Sequence, residues 1–202
     1  MEEAEFIALY GEWAPRTPTD VQAFFHGYPG VWWIAGGWAL QAFTGVERYH
    51  DDIDPGILRE ELPLLRAHVA GKYHLWSASS GALKPLLSDD GLLPDSGQLW
   101  TRRTAAEPWE YDILLGPGTR EQWEYKREPA IRMPMADALW ERDGIRYLQP
   151  EIQLLYKAKG LREKDQADFN STLPHLDARR RAWLADALRR TLPEHPWLSD
   201  LD

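Results

Sequence analysis

The sequence predicts an α/β fold in which a mixed β-sheet is flanked by helices and followed by a helical C-terminal segment. A short apolar run, VWWIA at 31–35, is rich in strand-forming residues and is followed directly by Gly36-Gly37. Helical spacing over 38–43 and a second strand over 53–58 complete a strand, turn, helix, strand unit. From Pro150 onward the apolar residues recur at helical spacing. This order of elements is typical of an α/β core with a helical end.

The remaining elements are predicted from apolar periodicity and from the glycine, proline and polar residues that interrupt it. Two outer helices fit 4–14 and 20–26, and a further helix fits 59–71. Strand-like segments follow at 73–77, 98–102, 110–115 and 145–148, while 79–108 and 116–145 are loop-rich. We expect residues 1–149 to form the α/β core and residues 150–202 to form a helical segment packed on it as one compact unit.

Composition places the chain among globular proteins and excludes several kinds of site. Of its 202 residues, 44% are hydrophobic and 27% are charged, which is the range of a folded domain. The chain contains no cysteine, so thiol nucleophiles and cysteine-bound metals are excluded. Its acidic N-terminus lacks the positive charge of a secretory signal, and we expect a cytoplasmic protein with no membrane partner. The net charge of −9 argues against binding to duplex nucleic acid.

Two carboxylates in the second predicted strand are the central candidates for chemistry. In the stretch HDDID, Asp52 and Asp54 occupy alternate positions, so on a strand both side chains project from one face while Ile53 points into the core. Proteins bind magnesium through one or two such carboxylates together with waters and substrate phosphates. The sequence therefore predicts a magnesium site at Asp52 and Asp54.

Gly36 and Gly37 lie between the first predicted strand and the helix that follows it. A helix N-terminus offers free N–H groups and the positive end of the helix dipole, and glycine lets a phosphate approach the backbone closely. The pair predicts a phosphate-binding turn, and the alternative is a tight turn that needs glycine for its geometry alone. A phosphate site combined with a metal site is what nucleoside triphosphate chemistry requires.

Further charged residues extend the candidate site. In WEYDIL, Glu110 and Asp112 would share one strand face, where a third carboxylate would accept a proton or complete a metal site. Asp112 is the preferred candidate for this role and Glu110 is its rival. Lys157 follows an apolar helical stripe and is predicted to contact a triphosphate; the alternative is a lysine on a solvated helix face.

The run WIAGGWALQAFTGVERYHDDID at 33–54 resembles the core of the small-molecule nucleotidyltransferases of the DNA polymerase β superfamily. The similarity is strongest to the aminoglycoside 2''-nucleotidyltransferases and the lincosamide nucleotidyltransferases. The residues that fill the pattern of that group, in order, are Gly36, Gly37, Trp38, Ala39, Gly45, Arg48, His50, Asp52, Ile53 and Asp54. The C-terminal pattern of the group is similar to Pro150-Glu151, Lys157, Lys164-Asp165 and Asp168.

The resemblance implies a mixed-sheet nucleotidyltransferase core that uses one or two magnesium ions and a nucleoside triphosphate. The implied reaction moves a nucleoside monophosphate, AMP, to a hydroxyl of a small-molecule acceptor and releases pyrophosphate. The catalytic and metal-binding residues would be Asp52, Asp54 and Asp112. The nucleotide-binding residues would be Gly36, Gly37, Arg48, His50 and Lys157. Two alternatives stay open: a nucleotidyltransferase toxin that acts on RNA or protein, and a catalytically silent nucleotide-binding protein of the same fold.

Two features of the motif have a second interpretation. Pro55-Gly56 stands where the group continues with apolar strand residues, so we expect a broken ladder or a bulge directly after Asp54. Such a distortion would favour the silent protein. Arg48 and His50 are assigned to nucleotide binding, and the alternative is that they brace the loop or the carboxylates.

Overall fold

The computed structural model describes residues 3–201 of the chain. Within this range the helices are α1 (Glu3–Tyr10), α2 (Pro18–Phe24), α3 (Gly36–Thr44), α4 (Leu62–Val69), α5 (Met135–Ala138), α6 (Pro150–Ala158), α7 (Glu163–Thr172), α8 (Ala178–Thr191) and α9 (Leu198–Leu201). The strands are β1 (Trp32–Ile34), β2 (Pro55–Leu58), β3 (His74–Ser79), β4 (Ala82–Pro85), β5 (Gln98–Arg102), β6 (Tyr111–Gly116), β7 (Gln122–Glu124), β8 (Arg132–Pro134), β9 (Leu139–Arg142) and β10 (Ile145–Leu148). No helix between residues 3 and 201 is both long enough and apolar enough to cross a membrane.

Contacts between residues group the described chain into two compact units. The first comprises the residues up to Trp32 together with His50–Gly118, and the second comprises Trp33–Tyr49 together with the residues from Thr119 onward. Each unit is therefore assembled from two separate stretches of chain. The boundary expected at residue 150 does not coincide with this division and stays a prediction.

The first unit is built on strands in the order β4-β3-β5-β6-β2. β2 runs parallel to β6, whereas the β3–β4, β3–β5 and β5–β6 pairs are antiparallel, so the predicted mixed sheet is confirmed. Along β6, Tyr111, Ile113 and Leu115 are buried, while Asp112 is partly exposed. Because side chains alternate along a strand, Asp112 lies on the face opposite to those three apolar residues.

The second unit combines helices with two small sets of strands. β1 runs parallel to β10, β9 pairs antiparallel with β10, and β7 and β8 form a separate antiparallel pair. α6 packs against α3, α7 and α8, and its Ile152, Leu154 and Leu155 are fully buried. Nearly the whole circumference of α6 is buried, including its polar residues Glu151, Gln153 and Lys157. The helical pattern predicted after Pro150 is confirmed.

α3 begins and ends at glycines in the left-handed region. Gly36 has φ +66° and Gly45 has φ +75°, conformations that other residues rarely adopt. The Gly45 amide donates to the Gln41 carbonyl, which closes the last turn of the helix. The stop predicted at Gly45 is confirmed, and the helix starts two residues earlier than predicted because Gly36 and Gly37 form its first turn.

The expectation of loops over 79–108 and 116–145 is wrong in part. Besides β5, which was predicted, these stretches contain four further strands and a short helix: β4, β7, β8, β9 and α5. Each of these elements has only three or four residues. Elements of this length are too short to produce a periodic apolar signal.

Candidate active site

Asp52 and Asp54 lie directly before β2, in backbone without regular secondary structure. The prediction that they belong to the strand is wrong, because the ladder with β6 begins only after Pro55, which has no N–H to donate. The alternation on which the prediction was based, with Ile53 in the core between two more exposed carboxylates, is nevertheless present. Ile53 is buried, Asp54 is half-buried and Asp52 is exposed. Both carboxylates therefore stand at the N-terminal end of β2.

Pro55 produces no bulge after Asp54; the expected interruption of the ladder falls at the start of β2 and not within the strand. Pro55 is the first residue of β2, a position where proline is tolerated. Gly56, Ile57 and Leu58 then pair in uninterrupted register with residues of β6. Pro55 therefore fixes the point at which the strand starts, immediately after the second carboxylate.

Asp112 lies in β6 and is the carboxylate most strongly affected by its surroundings. Burial raises the pKa of Asp112 well above its usual range, and the negative charges of Asp54 and then Asp52 raise the pKa further. The Trp100 indole, on the paired strand, counters this rise only in part. The Oδ1 atom of Asp112 is buried and makes no hydrogen bond of normal geometry with any residue from 3 to 201. The structure thus brings Asp112 into electrostatic contact with both predicted metal ligands.

The three carboxylates have the donor chemistry of a magnesium site. They are hard oxygen donors, and a cation would relieve the repulsion between their charges. In the described part of the chain, no three His, Asp or Glu side chains are already arranged as a metal-binding group. Two protein carboxylates are sufficient for magnesium when waters and substrate phosphates complete its coordination. Asp52 and Asp54 are therefore sufficient in number for this ion, and Asp112, with its buried Oδ1, fits either role of the third carboxylate: proton acceptor or additional metal ligand.

Glu110 does not share a face with Asp112, which corrects the prediction from strand alternation. Thr101 of β5 is the partner of Tyr111, yet its carbonyl also accepts a 2.8 Å hydrogen bond from the Glu110 amide. Two residues of one chain segment therefore oppose a single residue of the other, which is the arrangement of a β-bulge. The bulge interrupts the alternation immediately before Asp112.

The Glu110 side chain is buried in a network of its own. It accepts hydrogen bonds from Arg16 at 3.1 Å and from Arg103 at 3.1 Å, and the Tyr73 hydroxyl lies 3.4 Å away. The Arg103 guanidinium also donates to the Tyr73 hydroxyl at 2.8 Å. Two cations already neutralise Glu110, so the geometry favours Asp112 over Glu110 as the third carboxylate.

The Gly36-Gly37 turn belongs to the second unit. The Gly36 amide donates a 2.8 Å hydrogen bond to Oε1 of Gln153 in α6. This N–H therefore already has a protein acceptor, and the left-handed φ of Gly36 shows that geometry alone requires one glycine of the pair. The assignment of Gly36 and Gly37 to phosphate binding stays a prediction, with Gly37 as the residue whose amide is better suited to it.

Lys157 is buried and paired with two carboxylates. Its ammonium lies 3.1 Å from Asp165 and 2.8 Å from Asp168 of α7, and its side chain is only 8% exposed. The alternative of a solvated surface lysine is therefore wrong. Arg162 contacts Asp165 and Arg48 contacts Asp168, so three cations and two carboxylates form one cluster. We call these five residues the α7 ion cluster.

Arg48 connects the α7 ion cluster to the backbone of its own loop. Its Nε and Nη2 donate to the two oxygens of Asp168 at 2.8 and 3.1 Å, and its Nη1 donates to the Tyr49 carbonyl at 2.8 Å. The Arg48 amide in turn donates to Oε1 of Gln41. These contacts show Arg48 bracing its loop, as the alternative proposed. Nucleotide binding by Arg48, the half-buried His50 and Lys157 stays a prediction.

Three polar residues of these surroundings received no role from the sequence, although Asp165 and Asp168 were matched to the C-terminal pattern of the nucleotidyltransferase group. Gln153 lies four residues before Lys157 in α6, so both occupy one face of the helix, but glutamine at this spacing is common on any helix. Asp165 and Asp168 are three residues apart in α7, which is ordinary surface spacing in a sequence. Only the packing of α7 against α6 shows that these carboxylates are buried.

Comparison with solved structures identifies this architecture as a nucleotidyltransferase fold. No protein-family model matches the sequence, and no curated protein matches it either. The crystal structure of ANT(2'')-Ia with adenylyl-2''-tobramycin superimposes with a TM-score of 0.55 at 20% identity, over 86% of this chain and 97% of that chain. The solution structure of the antibiotic-resistance factor ANT(2'')-Ia gives a TM-score of 0.54 at 19% identity, over 94% of each chain.

A second antibiotic-modifying protein has the same fold. The lincosamide antibiotic adenylyltransferase LnuA, in its lincomycin-bound crystal structure, gives a TM-score of 0.51 at 16% identity, over 76% of this chain and 92% of that chain. The fold predicted from the motif at 33–54 is therefore confirmed.

Proposed function

We propose that this protein is a magnesium-dependent nucleotidyltransferase that moves a nucleoside monophosphate from a nucleoside triphosphate to a hydroxyl of a small molecule and releases pyrophosphate. The observation that carries the proposal is the buried Oδ1 of Asp112, which has no hydrogen-bond partner of normal geometry among residues 3–201 and lies beside the negative charges of Asp54 and Asp52. A fold keeps such an arrangement at a cost in stability, which is typical of catalytic sites. AMP is the proposed group because the neighbours of the same fold are named for adenylyl transfer.

The three carboxylates divide the work in this proposal. Asp52 and Asp54 hold magnesium, which when bound neutralises charge on the triphosphate oxygens. Asp112 accepts the proton of the acceptor hydroxyl, a role that suits a carboxyl whose pKa is raised by burial and by its neighbours. The hydroxyl oxygen attacks the α-phosphorus, the new P–O bond forms, and the bond to pyrophosphate breaks. Gly37, Arg48, His50 and Lys157 are the proposed nucleotide-binding residues, with Gly36 shaping the turn.

A pyrophosphate-release assay tests this function. ATP, GTP, CTP and UTP are each incubated with the protein, magnesium chloride and a panel of hydroxyl-bearing compounds that includes tobramycin and lincomycin. We expect release with at least one acceptor and none from the double variant Asp52→Asn/Asp54→Asn. The proposal is wrong if Asp54→Ala retains magnesium-dependent transfer, or if no acceptor in the panel supports release.

The same protein and the cells that express it distinguish the two alternatives, a silent nucleotide-binding protein and a toxin. A silent nucleotide-binding protein would bind ATP in calorimetry without releasing pyrophosphate, but the regular start of β2 removes the distortion at Pro55 that favoured it. A toxin would arrest the growth of the expressing cells and would label RNA or protein with radioactive nucleotide. The net charge of −9 argues against RNA as acceptor, and normal growth at high expression would exclude the toxin.

A further inference from the structure

The indole of Trp100 lies beside the proposed proton acceptor. Trp100 in β5 is the direct cross-strand partner of Asp112 in β6, so both side chains project from the same face of the sheet. Trp100 is 9% exposed, and its Nε1 makes no hydrogen bond of normal geometry to the protein between residues 3 and 201. The Trp100 indole contacts the Asp112 carboxyl, but neither Trp100 Nε1 nor Asp112 Oδ1 makes a hydrogen bond of normal geometry, so both lack a well-aligned partner on one face.

An unpaired indole N–H is costly, and the fold pairs the N–H of two other buried tryptophans. Trp109 donates to the Tyr10 carbonyl at 2.6 Å, and Trp197 donates to Gln166 at 2.7 Å. Leaving a buried donor unpaired costs about 1–3 kcal/mol. The contact with the Asp112 carboxyl relieves this cost only in part, and a ligand that supplies a well-aligned acceptor would relieve the rest, since buried Trp N–H groups usually find a partner.

The aromatic residues around Trp100 hold its indole in place. The ring centroids of Trp13 and Trp109 lie 5.0 and 5.3 Å from that of Trp100 in edge-to-face contacts, and the Phe6 ring lies 5.9 Å away. Packing of this kind leaves the indole little freedom to turn toward another acceptor. The N–H therefore stays next to the carboxylate without ligand-induced rearrangement, as a preorganised binding group requires.

We infer that Trp100 and Asp112 together bind the acceptor hydroxyl. A hydroxyl has one hydrogen to donate and lone pairs to accept with, which matches one carboxylate oxygen and one N–H. In this arrangement Trp100 Nε1 donates to the hydroxyl oxygen, and the hydroxyl donates its hydrogen to Asp112 Oδ1. A second lone pair stays available for the α-phosphorus; on attack the proton passes to Asp112 and pyrophosphate leaves. A protonated amine has no lone pair for the indole, so Trp100 also selects hydroxyl acceptors. The inference rests on the proposed function.

Three variants test the role of the N–H. Trp100→Phe keeps a large ring and removes the donor, whereas Trp100→His removes more of the ring but retains an N–H at the corresponding ring position. Trp76→Phe is the matched control, because Trp76 of β3 is the next residue across the sheet and pairs with Trp100 rather than with Asp112. We measure pyrophosphate release with ATP, magnesium chloride and the best acceptor of the hydroxyl panel.

We expect Trp100→Phe to lower kcat/KM for the acceptor by about tenfold or more, with the KM for ATP unchanged. Trp100→His is expected to be less stable than Trp100→Phe and yet more active, which a merely structural role would not produce. Trp76→Phe is expected to match the wild type. If the wild type is active and Trp100→Phe equals Trp76→Phe, this inference is wrong while the proposed function stands. If the wild type transfers to no hydroxyl, both fail.

Spectroscopy gives a readout independent of turnover. In protein labelled with ¹⁵N-tryptophan, the indole N–H resonance of Trp100 is assigned by its loss in Trp100→Phe. It is expected to shift downfield when the same acceptor is added with magnesium and a non-hydrolysable ATP analogue, and to stay in place when the nucleotide analogue is added alone. An unchanged resonance at a saturating acceptor concentration would contradict the inference.

Discussion

Replacing Lys157 by methionine tests the α7 ion cluster, because methionine keeps the length of the side chain and removes its charge. The ammonium contacts Asp165 and Asp168, whose side chains are 0% and 5% exposed. Removing one partner of a buried ion pair costs about 3–5 kcal/mol, since the remaining charge stays buried. Arg162 and Arg48 still contact the two carboxylates, so we expect the lower end of this range, about 3 kcal/mol.

Urea titration followed by circular dichroism measures this loss, and thermal unfolding should show a midpoint lower by about 6–12 °C. Lys159→Met is the matched control, because Lys159 is exposed at the end of the same helix and its replacement should change stability by less than about 0.5 kcal/mol. The double variant Lys157→Met/Asp165→Asn should recover part of the loss, because it removes a buried charge together with its partner. A loss below about 1 kcal/mol for Lys157→Met would refute the assignment of a stabilising cluster.

The same variant separates the structural role of Lys157 from its proposed contact with the triphosphate. At a temperature where Lys157→Met is folded, a triphosphate contact predicts a KM for ATP that is raised about tenfold, which corresponds to the loss of one charge-assisted hydrogen bond. A KM equal to that of Lys159→Met would remove Lys157 from the nucleotide-binding residues.

Three further changes test other parts of the structure. Glu110→Gln should lower the free energy of unfolding by about 1–3 kcal/mol, because Arg16 and Arg103 lose their buried carboxylate. Its kcat should stay within about twofold of the wild type. Asp112→Asn, in contrast, should lower kcat by about a hundredfold or more. Gly45→Ala should cost about 1–2 kcal/mol through its φ of +75° alone, since an added Cβ would meet no atom within 4 Å; Gly91→Ala, equally open and without a positive φ, should be near neutral. Burial lowers the pKa of His195, so the folded protein binds fewer protons there than the unfolded chain. The contribution of His195 to stability is therefore present above about pH 6.5 and is lost as the pH falls below that value. Urea titrations at pH 7.5 and 5.5 should show a smaller difference in the free energy of unfolding for His195→Gln than for the wild type.

Apolar patterning was sufficient to predict the longer elements. The strands at 98–102 and 145–148 have the predicted bounds, because each combines β-forming residues with clear polar or glycine boundaries. The order of strand, glycine turn, helix and strand at 31–58 also led to the correct fold, through the spacing of Gly36, Asp52 and Asp54.

The division into units and the neighbours of Lys157 depend on contacts between distant residues. The chain leaves the first unit after Trp32, in the middle of the apolar run at 31–35, and re-enters it at His50, within a polar stretch, so the sequence marks neither point as a boundary. Lys157 has the sequence surroundings of an ordinary helical lysine, and its burial depends on where α7 packs. Local patterns contain no information about such contacts.

The bulge at Glu110 places Asp112 one residue later in the sequence than an unbulged strand would. An extra residue inserted before a strand shifts every later position by one, although the carboxylate in the strand stays on the same face of the sheet. Relatives that lack the bulge should therefore align with a one-residue gap near Trp109-Glu110, after which their carboxylate falls opposite Asp112. An ungapped alignment would instead match that carboxylate with Tyr111 and would hide the equivalence.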